Sequence, residues 1–453
     1  MLVYLQRSSM WAILAACSLA QSLLIVGCGS VTPTMTPRAV PTPTSTSLAE
    51  PTIHSQLRGD SPTCEVYDVD DDHLWNRLFC ALYGRIGPGL VVHGLNELDT
   101  LHWSETKHLI YGASHDKAIA VLDEFLAKHG EGLITDTVKR AFLQRDLWAI
   151  FDWLQHRDDE GTEYEQVRAQ LQSRLVEVMR RLALSEQEIR ALPDNYVAAV
   201  RSESFDTQFA EAKPEQAYLP NDLFDQESGW VLLGGGKRPL ADTHVSSEMG
   251  ARSVWLVFIR VPNGRIQTQS FSRQLAAAAD LSNPPQIPPG TEVALLRRTL
   301  LIDNQGVILP SPITEELQIR HYMTGEPKSQ SFFELRLLRE QLFNGKAGGL
   351  RIVGGSDRSF VSLNPGGEDP IETISSNFGT YDKYEGSLIL GDCIQCHGST
   401  GSLSIQSYSQ NVFRMDNPPM LLESTVEIES ANTVRSKMRQ TEWNELKTLW
   451  RDQ

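Results

Sequence analysis

The sequence predicts a multidomain α+β protein, and three observations carry that prediction. Residues 63–205 repeat apolar side chains at helical spacing, residues 215–370 hold β-type runs divided by turn signals, and residues 372–453 form a short, mainly helical unit. The expected architecture is an N-terminal helical domain, a mixed α+β middle domain with a largely antiparallel sheet, and a small α-helical C-terminal domain. A chain of 453 residues has room for this, and it shows no internal repeat.

The first 28 residues come before any of these domains. Arg7 gives a small positive start, and residues 10–26 are mostly apolar, with Gln21 and Ser22 interrupting them. The stretch is short for a membrane-crossing helix and fits a signal peptide. It ends in Ile25-Val26-Gly27-Cys28, which resembles the lipobox of bacterial lipoproteins; the resemblance implies that Cys28 becomes the lipidated first residue and anchors the chain to a membrane. Leu14-Ala15-Ala16-Cys17 fits the same pattern but leaves a very short apolar core. Plain cleavage and an uncleaved anchor are the alternatives, and both still place the remainder outside the cytoplasm. Residues 29–62 follow as a Thr/Pro-rich tether without apolar period, of partly polyproline II character.

In the helical domain, Leu143, Leu147, Ile150, Phe151 and Leu154 share one spacing, and Tyr164, Val167, Leu171, Leu175, Val178 and Leu182 share another. Thr162-x-x-Glu165 and Ser185-x-x-Glu188 have the form of capping boxes opening two helices. His115 and residues 123–127 fall in a further helix that ends near Gly130. In the middle domain, residues 254–259 are a continuous apolar run. Residues 293–302, the turn Asp303-Asn304-Gln305-Gly306 and residues 307–309 predict a hairpin. Leu317, Ile319 and His321 alternate like a half-buried strand, and residues 271–279 suggest a helix. Pro and Gly clusters at 283–290, 345–350 and 365–370 mark loops. In the last unit a short helix is expected from 381 towards Cys393, and residues 441–451 put Trp443, Leu446, Leu449 and Trp450 on one face.

That last unit contains Cys393-Ile394-Gln395-Cys396-His397, a C-x-x-C-H string. This is the attachment sequence for c-type haem, because two thiols at this spacing add across the two vinyl groups of one porphyrin and the adjacent imidazole falls under the iron. With six cysteines and eleven histidines in the chain, chance gives such a string in about one chain in several hundred. The other cysteines sort around it: Cys17 in the leader, Cys28 for lipid, and Cys64 with Cys80 either paired in an oxidising compartment or buried as free thiols.

Around the motif the unit is similar to the small class I cytochromes c. The motif lies near its start, Gly398 follows His397, and an amphipathic helix closes it. The resemblance implies one covalent haem c on Cys393 and Cys396, His397 as proximal iron ligand, and first and last helices that cross. It also implies a methionine from the loop before the last helix as sixth ligand, with Met420 or Met415, either side of Asp416-Asn417-Pro418-Pro419, ahead of Met438. A histidine from elsewhere and a vacant sixth site remain alternatives. The family carries a proline about a dozen residues after the motif whose carbonyl orients the histidine, whereas no proline lies between His397 and Pro418 here. The family's aromatic residue just before the motif is also missing.

Other constellations have plainer readings. Asp68, Asp70, Asp71 and Asp72 beside His73 lack the glycine and terminal glutamate of a calcium loop and read as a solvated run. Leu233-Gly234-Gly235-Gly236-Lys237-Arg238 lacks P-loop spacing and reads as a flexible loop. His73, His102, His108, His115 and His321 read as surface or satisfied core residues. The net charge of −16, with no long basic run, excludes nucleic acid as an expected partner. Three functions follow. The first is an exported, lipid-anchored monohaem cytochrome passing single electrons to and from a redox partner protein. The second is a haem-dependent oxidoreductase using the α+β domain for substrate. The third is a non-haem surface lipoprotein in which Cys393 and Cys396 form a local disulfide or dithiol.

Overall fold

The computed structural model describes residues 55–58, 61–83, 109–110, 112–155, 164–237, 239–241, 251–277, 285–324, 330–357, 390, 397, 401–405 and 421–452. Strands β1 (Ser55–Arg58) and β2 (Ser61–Cys64) pair antiparallel ahead of α1 (Leu74–Tyr83). A disulfide joins Cys64 to Cys80 on α1, with Cα atoms 5.6 Å apart. Closing a loop of this length restrains the unfolded chain by about 3 kcal/mol. Cys64→Ala/Cys80→Ala is therefore expected to lower unfolding stability by about that amount in a denaturant titration; an unchanged midpoint would refute it.

A helical layer follows, made of α2 (Gly112–Ala127), α3 (Thr137–Trp153), α4 (Glu165–Leu182), α5 (Glu186–Arg190) and α6 (Asn195–Arg201). The Asp136 carboxylate accepts from Lys139 N at the start of α3, and Asp194 accepts from Val197 N at the start of α6. The Ser185–Glu188 capping box is formed in full, with Ser185 N donating to Glu188 Oε2 at 2.8 Å. The other expected box does not open α4: Glu165 is the first residue of that helix and Tyr164 its uncapped N-cap, so Glu165 sits two positions too early to reach back. Thr162 lies outside the described residues.

Helix α3 is buried on every side from Ala141 to Trp153, which makes it the centre of the molecule rather than one member of a peripheral bundle. Its polar residues are all tied to other elements. Gln144 exchanges hydrogen bonds with the backbone of Ile302. Arg145 donates to Thr299 Oγ1 and Ser253 Oγ. Asp146 takes two hydrogen bonds from Arg339 and one from the Tyr67 hydroxyl. Asp152 accepts from Arg252 and Lys437 at 2.6 and 2.5 Å.

The sheet these groups reach has seven antiparallel strands. They are β3 (Val231–Gly234), β4 (Ser253–Arg260), β5 (Thr291–Ile302), β6 (Ile308–Tyr322), β7 (Gln330–Leu337), β8 (Leu350–Ile352) and β9 (Leu422–Glu423), in the order β8-β7-β6-β5-β4-β3-β9. Helix α7 (Arg265–Ala277) follows β4, and α8 (Arg339–Phe343) follows β7. The hairpin of β5 and β6 forms as the sequence predicts. Its turn is held by the Asp303 carboxylate, which accepts from Gln305 N and Val307 N at 2.9 and 2.8 Å. Gly306 closes it at φ 73°, where a side chain would be strained and would press on the Trp450 ring.

Period-two alternation assigns the two faces. Val254, Leu256, Phe258, Ala294, Leu296, Leu317, Ile319, Phe333 and Leu335 join the helical layer in one large core. Segments 63–205 and 215–357 thus contribute to the same apolar cluster. Trp255, Val257, Ile259, Val293, Leu295 and Tyr322 face the other way, against Phe271 and Leu275 of α7, with Ile405 and Leu421. Strand β6 is not half-buried, because Glu316, Gln318 and Arg320 on this second face are covered as fully as Leu317 and Ile319 on the first.

The chain's last residues are built into the same body. Strand β9 pairs with β3, helix α9 (Val426–Lys437) delivers Lys437 to Asp152, and α10 (Thr441–Asp452) sets Trp443, Leu446 and Trp450 into the large core. Trp443 lies 6.0 Å from Trp148, and α10 packs on α3 and α4. The segment Leu233-Gly234, expected in a flexible loop, is strand. Gly234 is required there because Ser424 and Glu429 fill the space a side chain would take, and Asn432 donates to Gly236 O at 3.0 Å. No helix among the described residues is long and apolar enough to cross a membrane.

Glu334, on the second face of β7, is fully buried. Burial and then the nearby Glu316 push its carboxyl up to about 7, against the opposing pull of Arg336. Between the ordinary value of 4.5 and about 7 the folded protein holds a proton that the unfolded chain releases. Stability therefore falls as pH rises through that window. Glu334→Gln is expected to flatten the fall, so that its melting temperature gains on the parent's as pH rises; parallel curves would refute it.

Candidate functional site

His397 lies against the end of the sheet where β6 meets β7. It is 4% exposed, and its backbone carbonyl accepts from Gln330 Nε2 on β7 at 3.3 Å. Its Nδ1 is 2.8 Å from the carbonyl oxygen of Ser404. A carbonyl can only accept, so Nδ1 carries the hydrogen and the ring's lone pair is on Nε2. An axial histidine is held in this way, with its Nδ1–H on a backbone carbonyl.

The carbonyl is itself held in place. Residues Gly401–Ser404 form one turn of 3-10 helix, with Gly401 at φ 54° and the Ser404 hydroxyl donating to Gly401 O at 3.0 Å. Since that hydroxyl hydrogen is used, the Tyr322 hydroxyl donates to Ser404 Oγ at 2.9 Å. Ser402 N donates to Pro285 O at 2.9 Å, which ties the turn to the loop before β5. Ile405 drops into the second-face cluster beside the end of the sheet.

Arg320 completes the arrangement from β6. Its Nη1 donates to the Ser404 carbonyl, the same oxygen that receives His397, and to the Tyr322 hydroxyl at 3.1 Å. Its Nη2 is 3.5 Å from Ile405 O. Arg320 and Tyr322 were not foreseen as site residues, since alternation around His321 put them on a solvent face. No local signal marked them, since the cover over that face comes from segments far along the chain, such as those of Ile405 and Leu421.

The remaining candidates distribute as follows. Cys393, Cys396, Met415, Met420 and Cys28, with His102 and His108, lie outside the described residues. Leu421, next to Met420, joins the cluster that contains Ile405. Met438 caps the end of α9 and is half-exposed. His115 Nδ1 is 2.9 Å from Leu109 O, His73 accepts from Trp75 N, and His321 stacks on Phe209 with ring centres 3.6 Å apart. Burial lowers the His321 pKa. Asp70, Asp71 and Asp72 bring carboxylate oxygens within 4.8 Å of one another just before α1, where Asp70 N and Asp72 N bond back to the preceding aspartates.

The histidine that follows the second cysteine of the C-x-x-C-H string is thus buried, with its Nδ1 anchored to a carbonyl. No protein-family model matches the chain, and no curated protein and no solved structure matches it either.

Proposed function

We propose that the protein is an exported, membrane-anchored monohaem c-type cytochrome that transfers single electrons. Cys393 and Cys396 hold the haem by thioethers, each formed by adding S–H across a vinyl group, and His397 Nε2 is the proximal iron ligand. The bound haem supplies a one-electron couple, and a protein donor and a protein acceptor supply and receive that electron. The observation that carries the reading is the His397 Nδ1 hydrogen bond to Ser404 O, 2.8 Å long. It does the work assigned in class I cytochromes to a proline carbonyl that this chain lacks.

The cytochrome-like unit is residues 372–453, and its described Ile405 and Leu421 belong to the apolar cluster on the second face of the sheet. Met420 is the favoured sixth ligand over Met415, because its neighbour Leu421 shares an apolar cluster with Ile405. Export is supported by the Cys64–Cys80 disulfide, which an oxidising compartment preserves. Lipid at Cys28 and the Thr/Pro-rich segment ahead of β1 hold the body off the membrane, the expected tether of 29–62 ending where β1 begins at Ser55.

The test is a pyridine haemochrome spectrum of the full-length protein, produced with a haem c maturation system and extracted with acid–acetone. Haem that resists extraction and gives c-type reduced bands is expected. A folded, matured sample without covalent haem refutes the proposal and leaves a lipoprotein with a Cys393–Cys396 disulfide or dithiol.

A further inference from the structure

We infer that Arg320 is a positioning residue that weakens the electron donation of His397 to iron and so raises the haem potential, an inference resting on the haem attachment proposed above. An axial imidazole whose Nδ1–H meets a strong acceptor gains imidazolate character and favours the ferric state. Here the acceptor is shared. The Ser404 oxygen receives the His397 Nδ1–H on one side and the Arg320 guanidinium on the other. A carbonyl already bonded to a cation has less density to offer the histidine.

The charge of Arg320 acts in the same direction. The residue is 5% exposed, and its polar partners among the described residues are the Tyr322 hydroxyl and the carbonyls of Ser404 and Ile405, all uncharged. No carboxylate among the described residues pairs with it. A buried cation without a counter-ion beside a metal ligand disfavours the additional positive charge of the oxidised centre. The Tyr322 hydroxyl, donating to Ser404 Oγ and accepting from Arg320, fixes the guanidinium against the turn. A residue that merely docked the 401–405 turn would need none of this convergence on one oxygen.

The experiment is a potentiometric titration of the full-length, haem-loaded protein and of Arg320→Gln, Arg320→Lys and Tyr322→Phe, each with its covalent haem content measured first. Arg320→Gln is expected to shift the midpoint to lower potential at parental haem content, and Arg320→Lys, which keeps the charge, to recover part of the shift. A haem-loaded Arg320→Gln at the parental potential or above overturns the inference. If Arg320→Gln fails to mature, Tyr322→Phe carries the test: a lower midpoint supports the inference and an unchanged one overturns it. Failure of the underlying haem reading is visible separately, as absence of covalent haem in the unsubstituted protein.

Discussion

Cys393→Ala/Cys396→Ala is expected to lose covalent haem completely while keeping its fold. Each thioether needs its own sulfur, so the double substitution leaves only the His397–iron bond, and acid–acetone extraction breaks that bond. The fold has no matching dependence on the motif. Among the described residues, the large core is made by side chains up to Leu350 and from Trp443 onward. Far-UV dichroism and melting should therefore stay close to the parent's while the reduced c-type bands vanish. Retained, extraction-resistant haem in the double variant would rule out thioether attachment at these cysteines. His397→Ala separates the two roles, because it should keep haem bound through sulfur but alter the spectrum of the iron.

Asp146→Asn is expected to destabilise the whole body by about 4 kcal/mol, measured by urea or thermal unfolding. Asp146 and Arg339 are both buried, and the guanidinium takes both carboxylate oxygens, at 2.5 and 2.8 Å. Burial pushes the Asp146 carboxyl up, and Arg339 opposes that push. Phe79 and Phe142 lie against the guanidinium, with ring centres 4.9 and 5.5 Å away, and Tyr67 supplies a further acceptor at 3.1 Å. Neutralising the aspartate removes the carboxylate that this buried guanidinium grips through both oxygens. The double variant Asp146→Leu/Arg339→Met removes both charges and should recover most of the loss. A loss in Asp146→Asn below about 1 kcal/mol would show that the pair is not acting as a buried ion pair.

The elements legible in the sequence are those in which side chains dictate local geometry. The β5–β6 hairpin could be read because Asp303 and Gly306 are the residues its turn needs. Helix α10 could be read because Trp443, Leu446 and Trp450 form its apolar face. What stayed hidden depends on distant partners. Strand β9 is two residues long and exists through its pairing with β3. Gly234 looked like loop because glycine is a poor strand former, yet it is there to admit Glu429 and Ser424. The acceptor for His397 is a main-chain carbonyl, so no side chain announced it. Arg320 was hidden for a related reason: burial of the second face is supplied by segments far along the chain.

Strands β8 and β9 are consecutive among the described strands but occupy opposite edges of the sheet. Six strand spacings separate them, about 29 Å. The sheet therefore cannot be completed until its seventh strand, close to the C-terminus, has been synthesised and has crossed to the far edge. Pairing over so long a sequence separation is slow. For a chain that emerges N-terminus first, this order of events opens an interval in which Cys393 and Cys396 have emerged while β9, α9 and α10 have not yet docked. Under the proposed attachment, that interval is a time when the maturation machinery can meet the motif before the last strand and helices are in place.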